Sequence, residues 1–248
     1  MNDDFIKHLK NEKWRIVAEK KASIKKADAA SSCIVSLAGR RDALKAEAGN
    51  RLGADIMQVE AVINTTGLFD SHDDVHIPGL WDKSLANLRL VYLLQEHERE
   101  FDHVISDEVK VSVQEKSWAE LGAPLGGSTQ ALIFNATVHR RRNPYMFDQY
   151  MNGYVRNHSV GMYYKAIELC INSEEPYYAD EKKAWDKYIE YVANRDDVEE
   201  AGYFWAVTEA EVVEGSAVLF GSNWVTPTIN VDLKDNTSIL SKIGRNFH

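Results

Sequence analysis

The chain has 248 residues, 44% of them hydrophobic, 27% charged and 10% aromatic, with a formal net charge of -9. That is an ordinary globular composition, with enough apolar residues for one sizeable core plus an extension, or for two small domains. The acidic balance argues against sequence-independent nucleic-acid binding, where each phosphate contact needs a cation, and no apolar run has the length of a membrane span or the form of a signal peptide.

Residues 1–54 read as a basic helical extension. The first fifty residues hold eleven Lys and Arg against seven Asp and Glu, which leaves -13 for the remainder. In FIKHLKNEKWRIVAEKKASIKKADAA, the residues Phe5, Ile6, Leu9, Ile16 and Val17 recur at near-helical spacing with no Gly or Pro between them. A second helical piece, SCIVSLAGRRDALKAEAG, ends at a glycine C-cap, Gly49 or Gly53. Two readings stand side by side: a helical hairpin packed on the main domain, or a basic arm that docks on an acidic partner.

The main domain is expected over residues 55–230. MQVEAVINTTG alternates and is rich in branched side chains, so it predicts a strand. The polar loop DSHDDVHIPG follows, then a short helix that runs into VYLLQEH. DEVKVSVQE and ALIFNATVH alternate with period two, and SWAELGAPLGGS between them is a loop punctuated by Gly and Pro. NPYMFDQYMNGYV is amphipathic and predicts a helix; SVGMYYKAIELCI predicts a strand. A charged helical insertion spans about 172–200, and FWAVTEAEVVEGSAVLF returns to strand. Residues 231–248 read as a polar tail. Strands with short helices and no regular βαβ alternation predict an α+β fold, mainly an antiparallel sheet or small β-barrel. There is no GxGxxG, Walker loop or HExxH.

Cys33 and Cys170 stand alone, with no zinc-type spacing, and point to a reducing, cytosolic compartment. No cofactor is expected. In Ser71-His72-Asp73-Asp74-Val75-His76, two His and two Asp can ligate a divalent ion, but no partner motif stands out elsewhere. The competing reading is a turn held by aspartate–backbone hydrogen bonds.

Three positions suit nucleophilic catalysis, which needs a nucleophile, a base, a group to orient the base, and oxyanion donors. Ser159 in RNHSVGM is followed by Val160 and Gly161, where the backbone bends closely and N–H groups can stabilise an oxyanion. His97 ends the apolar run VYLLQEH, rigidly held yet reachable. Glu214 precedes Gly-Ser in EVVEGSAVLF. Glu211 lies three positions earlier and would face the other side of an alternating strand. Each has a plain structural counterpart: a strand-edge serine, a half-buried histidine, a surface carboxylate.

Taken in order, these pieces resemble one known family. They are Gly67…Asp70…Asp74-Val75-His76-Ile77-Pro78-Gly79-Leu80, then Leu93-Leu94-Gln95-Glu96-His97. Asn157-His158-Ser159-Val160-Gly161-Met162 follows, and Glu214-Gly215-Ser216-Ala217-Val218-Leu219-Phe220-Gly221-Ser222-Asn223 completes the set. The order and spacing are similar to those of the tailed-bacteriophage prohead (procapsid) maturation serine proteases, over roughly residues 57–230. The resemblance implies Ser159 as nucleophile, His97 as general base and Glu214 as third member. It implies a small β-barrel wrapped by helices, similar to the herpesvirus assembly protease. It also implies polypeptide substrates inside the procapsid, namely scaffold, the N-terminal segment of the major capsid protein, and the protease itself. Homo-oligomerisation stays open. The sequence departs from the family pattern at Asp73-Asp74, where Gly-Asp is common, and at the charged Glu98-Arg99-Glu100 after the histidine. The insertion at 172–200 lengthens the gap between Ser159 and Glu214. The rival reading from another class is a non-catalytic scaffold or assembly protein that retains the fold; a metal-dependent hydrolase built on the His72 loop is a third.

Overall fold

A computed structural model describes residues 3–24 and 54–234. Two sheets carry the fold. The first is wholly antiparallel, in the order β5(Val109–Ser117), β6(Ser128–His139), β1(Ile56–Thr65), β9(Thr228–Lys234). The second is mixed and is built on the long strand β8(Tyr203–Val218). One side of β8 pairs antiparallel with β7(Asn157–Ile171) along its whole length. The other side is shared by β2(Asp74–His76), opposite Trp205 to Val207, and β3(Leu93–Gln95), opposite Gly215 to Ala217. Both of these run parallel to β8, and β4(Val104–Ser106) pairs antiparallel with β3.

The alternation read from the sequence explains how the sheets pack. In β1, Met57, Val59, Ala61 and Ile63 all point into the main core, where they meet Leu132, Phe134 and Ala136 of β6 and Val160, Met162 and Tyr164 of β7. Val62 faces the other way, into a second cluster with Trp118, Leu121 and Ile133. Gly215 sets the closeness of the two sheets: a Cβ there would lie 2.7 Å from the Phe134 ring. The helix α4(Pro144–Met151) closes the main core with Met146, Phe147 and Tyr150. Asn143 caps it by accepting the Met146 N–H at 3.0 Å, and Pro144 sits in its first turn, where no N–H is missed.

The architecture is α+β, as expected, but no closed barrel forms among the described residues. The sheets are joined at their margins by a few bonds and no continuous ladder. At one margin Pro227 accepts the Val62 N–H at 3.0 Å and bridges Asn157; having no N–H of its own, it cannot extend a ladder between β1 and β7. At the other, Ser106 donates to the Thr137 carbonyl at 2.7 Å, and β4 is too short to do more. β9 runs on to Lys234, past the expected boundary at residue 230.

The short helix α3(Asp82–Ala86) leads towards β3. The charged insertion holds α5(Ala179–Tyr188) and α6(Arg195–Ala201). Their residues Trp185, Tyr188 and Val198 pack on Cys170, Phe204 and Ala206, at the distal end of the β7–β8 pair. At the N-terminus, α1(Asp3–Asn11) and α2(Lys13–Ala22) lie against the same end. Ile6 and Leu9 are buried among Leu169, Ile171, Tyr203 and Trp205. Lys10 and Lys13 reach the buried Glu181 carboxylate at 2.6 and 2.9 Å. Of the two readings of the basic extension, these contacts match packing on the chain's own domain. The expected second helical piece, with Gly49 and Gly53, lies outside the described residues, as does the tail beyond Lys234. No helix of the described residues is long and apolar enough to cross a membrane.

Candidate active site

The site is assembled where β3 ends. Gln95 accepts the Glu98 N–H at 2.9 Å, and the two residues between, Glu96 and His97, have φ of 50° and 61°. Positive φ at both central positions is the type I′ turn pattern, normally filled by Asn and Gly. For Glu and His it costs roughly 1–2 kcal/mol each. Three bonds from the β8 side hold the turn. The Glu96 N–H donates to Ala217 O at 2.9 Å, the His97 N–H to Ser216 Oγ at 3.2 Å, and Glu96 Oε1 accepts the Leu219 N–H at 3.0 Å. A strained turn held this firmly aims a side chain.

That side chain is the His97 imidazole. Its Nδ1 lies 2.6 Å from Glu214 Oε1, with His97 only 4% and Glu214 only 2% exposed. The second carboxylate oxygen accepts the Ser216 hydroxyl at 2.7 Å. An ionised carboxylate can only accept, so the Nδ1 that faces it is the donor of this bond. Glu214 and Ser216, two apart on β8, share a face. Glu211 does not: it is exposed and pairs with Lys165 at 2.5 Å. The sequence left the choice of carboxylate open, and of the two it is Glu214 that meets His97.

Ser159 is the residue directly opposite Ser216 across the β7–β8 ladder, and Gly161 is directly opposite Glu214. Ser159 and Gly161 therefore lie on the face of β7 that neighbours the Glu214–Ser216 face of β8, with facing Cβ positions about 4.5–5.5 Å apart. A Cβ on Gly161 would stand 1.9 Å from Glu214 Oε1. Gly161 thus makes room for the carboxylate of Glu214. Val160, between them, points into the core and is 5% exposed. The structure thus shows a hydrogen-bonded His–Glu pair with the serine one strand across.

The long insertion does not disturb this arrangement. It joins β7 and β8 beyond Ile171, twelve residues from Ser159, or roughly 40 Å of extended strand. Next to the pair, a cavity of about 410 Å³ is lined by Tyr92, Leu94, Phe101, Val104, Arg99 and Glu214. Phe101 is 91% exposed at its mouth.

His158, adjacent to the serine, belongs to the core. Its Nε2 lies 2.9 Å from the Tyr150 hydroxyl and its Nδ1 3.1 Å from Thr226 O. Burial lowers its pKa to about 4, so it is neutral near pH 7. The loop at 70–76 sits beside the distal half of β8. Asp70 Oδ1 accepts the N–H groups of His72 and Asp74 at 2.9 and 3.1 Å, which is the turn expected from the sequence. Burial, and then the neighbouring Asp74 charge, raise the Asp70 pKa to about 8.

Two features of the site had little signal in the sequence. Ser216 had one, its spacing two residues after a buried acid. The left-handed turn at Glu96-His97 had none, because neither residue type advertises positive φ. Comparison with protein-family models, curated proteins and solved structures returned no match for this chain.

Proposed function

We propose that the chain is a serine endopeptidase in which Ser159 is the nucleophile, His97 the general base and Glu214 the residue that orients it. The observation that supports this reading best is the buried His97–Glu214 contact at 2.6 Å, set one strand across from Ser159. His97 Nε2 takes the Ser159 hydroxyl proton as Oγ attacks a peptide carbonyl. The same proton is then given to the leaving amine. Water, activated by the same nitrogen, hydrolyses the ester and restores the serine. Backbone N–H groups around Val160 and Gly161 are the proposed donors for the oxyanion. The apolar cavity beside Glu214 would take a side chain of the substrate.

The order of the motifs in the sequence supports the finer assignment to prohead maturation proteases, with scaffold, the capsid-protein N-terminal segment and the enzyme itself as substrates. The proposed place of action is the procapsid interior in the host cytoplasm. Intact mass followed over time tests the reading, with wild type beside Ser159→Ala. Discrete fragments in the wild type alone are expected, and their new termini give the cleavage preference. Full-length chains in both, persisting after co-expression with capsid and scaffold proteins, would instead favour the non-catalytic assembly role.

A further inference from the structure

The chemistry above makes no use of the polar loop before β2. Its aspartate turn accounts for only one oxygen of Asp70, the Oδ1 that accepts the His72 and Asp74 N–H groups. Oδ2 of the same carboxylate is buried and has no hydrogen-bond partner among the described residues, and Asp70 as a whole is 6% exposed. A buried carboxyl oxygen with nothing to bond is unusual and costs free energy.

The surroundings point to what it faces. One possible ligand atom from each of Asp70, His72 and Asp74 lies within 4.8 Å of the others. Ligands at about 2.0–2.2 Å from one tetrahedral ion stand roughly 3.3–3.6 Å apart, so shifts of up to about an ångström bring this set into range. The spot already attracts a cation from the chain itself. Lys20, from α2, donates to the His72 carbonyl at 3.0 Å and to Asp74 Oδ1. Asp74 Oδ2 accepts the Tyr164 hydroxyl at 2.8 Å, and His76 holds that hydroxyl in turn at 3.1 Å. Asp74 is therefore fixed by a second row of residues, as metal-binding carboxylates usually are.

We propose that Asp70, His72 and Asp74 form a binding site for a divalent cation of the kind that accepts mixed imidazole and carboxylate ligands, such as Mn²⁺ or Zn²⁺. Asp70 Oδ2 supplies the ligand that the turn leaves over. The Lys20 ammonium competes with the ion for Asp74.

The full chain is titrated with MnCl₂ and with ZnCl₂ by calorimetry, with Mn²⁺ electron paramagnetic resonance as a second readout. One saturable site is expected. Asp70→Asn keeps an oxygen for the two N–H groups of the turn and is expected to weaken binding tenfold or more while circular dichroism is unchanged. Lys20→Met is expected to bind several-fold tighter. Absence of saturable binding in both wild type and Lys20→Met, at millimolar metal, overturns the proposal. So does unchanged affinity in a folded Asp70→Asn, which would place the ion elsewhere. Neither readout depends on peptidase activity, so this site and the proposed protease reading stand or fall separately.

Discussion

Gly161 and Glu214 face each other across β7 and β8, and the carboxylate occupies the space a side chain on the glycine would need, 1.9 Å from its ideal Cβ. Glu214 Oε1 sits in this gap and meets His97, while Oε2 accepts the Ser216 hydroxyl. Gly161→Ala is therefore expected to push the carboxylate off the imidazole. Stability should fall by about 1–3 kcal/mol from overpacking. Peptidase activity should fall much further, towards that of a Glu214 variant. Thermal unfolding and self-cleavage rate, measured on one preparation, separate the two effects. A Gly161→Ala protein with full activity would mean that Glu214 has no part in catalysis.

Glu214→Gln preserves shape but removes the charge that holds Nδ1–H. The activity of Glu214→Gln should drop by roughly 10²- to 10⁴-fold, with KM much less affected. Glu211→Gln, on the exposed face beside Lys165, should change activity less than twofold. Equal losses in the two variants would contradict the assignment.

The left-handed turn gives a finer test. Glu96→Gly relieves backbone strain at φ 50° but removes the bond to the Leu219 N–H. These effects oppose each other, so stability should stay within about 1 kcal/mol of wild type. Activity should nonetheless fall several-fold, because the segment that aims His97 is no longer tied to the end of β8. Chemical denaturation alongside a cleavage assay checks both halves.

His158 sets an acid limit on the fold. Its pKa is depressed by burial, from 6.5 to about 4, so the unfolded chain binds the proton more readily. Its stabilising contribution is full above pH 6.5 and is lost as pH falls through 4, by on the order of 3 kcal/mol. His158→Gln should be less stable than wild type at pH 7, since Tyr150 and Thr226 lose a partner. Its stability should also decline less steeply between pH 6.5 and 4. Parallel urea midpoints across that range would show it; identical slopes would remove His158 as a cause.

The strands were legible because their chemistry is local. Alternation in MQVEAVINTTG, DEVKVSVQE and ALIFNATVH gave β1, β5 and β6, and the amphipathic NPYMFDQYM gave α4. Ser159, His97 and Glu214 were legible as residue types in order. Their adjacency was not, because it depends on the registers of β7 and of β3 on β8, which bring together residues more than fifty positions apart. The insertion at 172–200 looked like an obstacle to choosing Glu214, yet an antiparallel pair keeps its register whatever is spliced in at the far end. The barrel expectation failed for an equally local reason: one proline and one three-residue strand stop the ladders from meeting.

That proline also decides how the two sheets are fastened. Along most of their length the strands are zipped by repeating pairs of backbone bonds, but at Pro227 the pairing stops at the Val62 bond and the bridge to Asn157. Its threonine neighbours take over: Thr226 O accepts the His158 N–H at 3.1 Å, the Thr226 hydroxyl donates to His158 O at 2.7 Å, and Thr228 Oγ1 donates to Val155 O at 2.9 Å. The start of β7, which carries Ser159, is therefore buttoned to the other sheet by two hydroxyls where a ladder would have laced it.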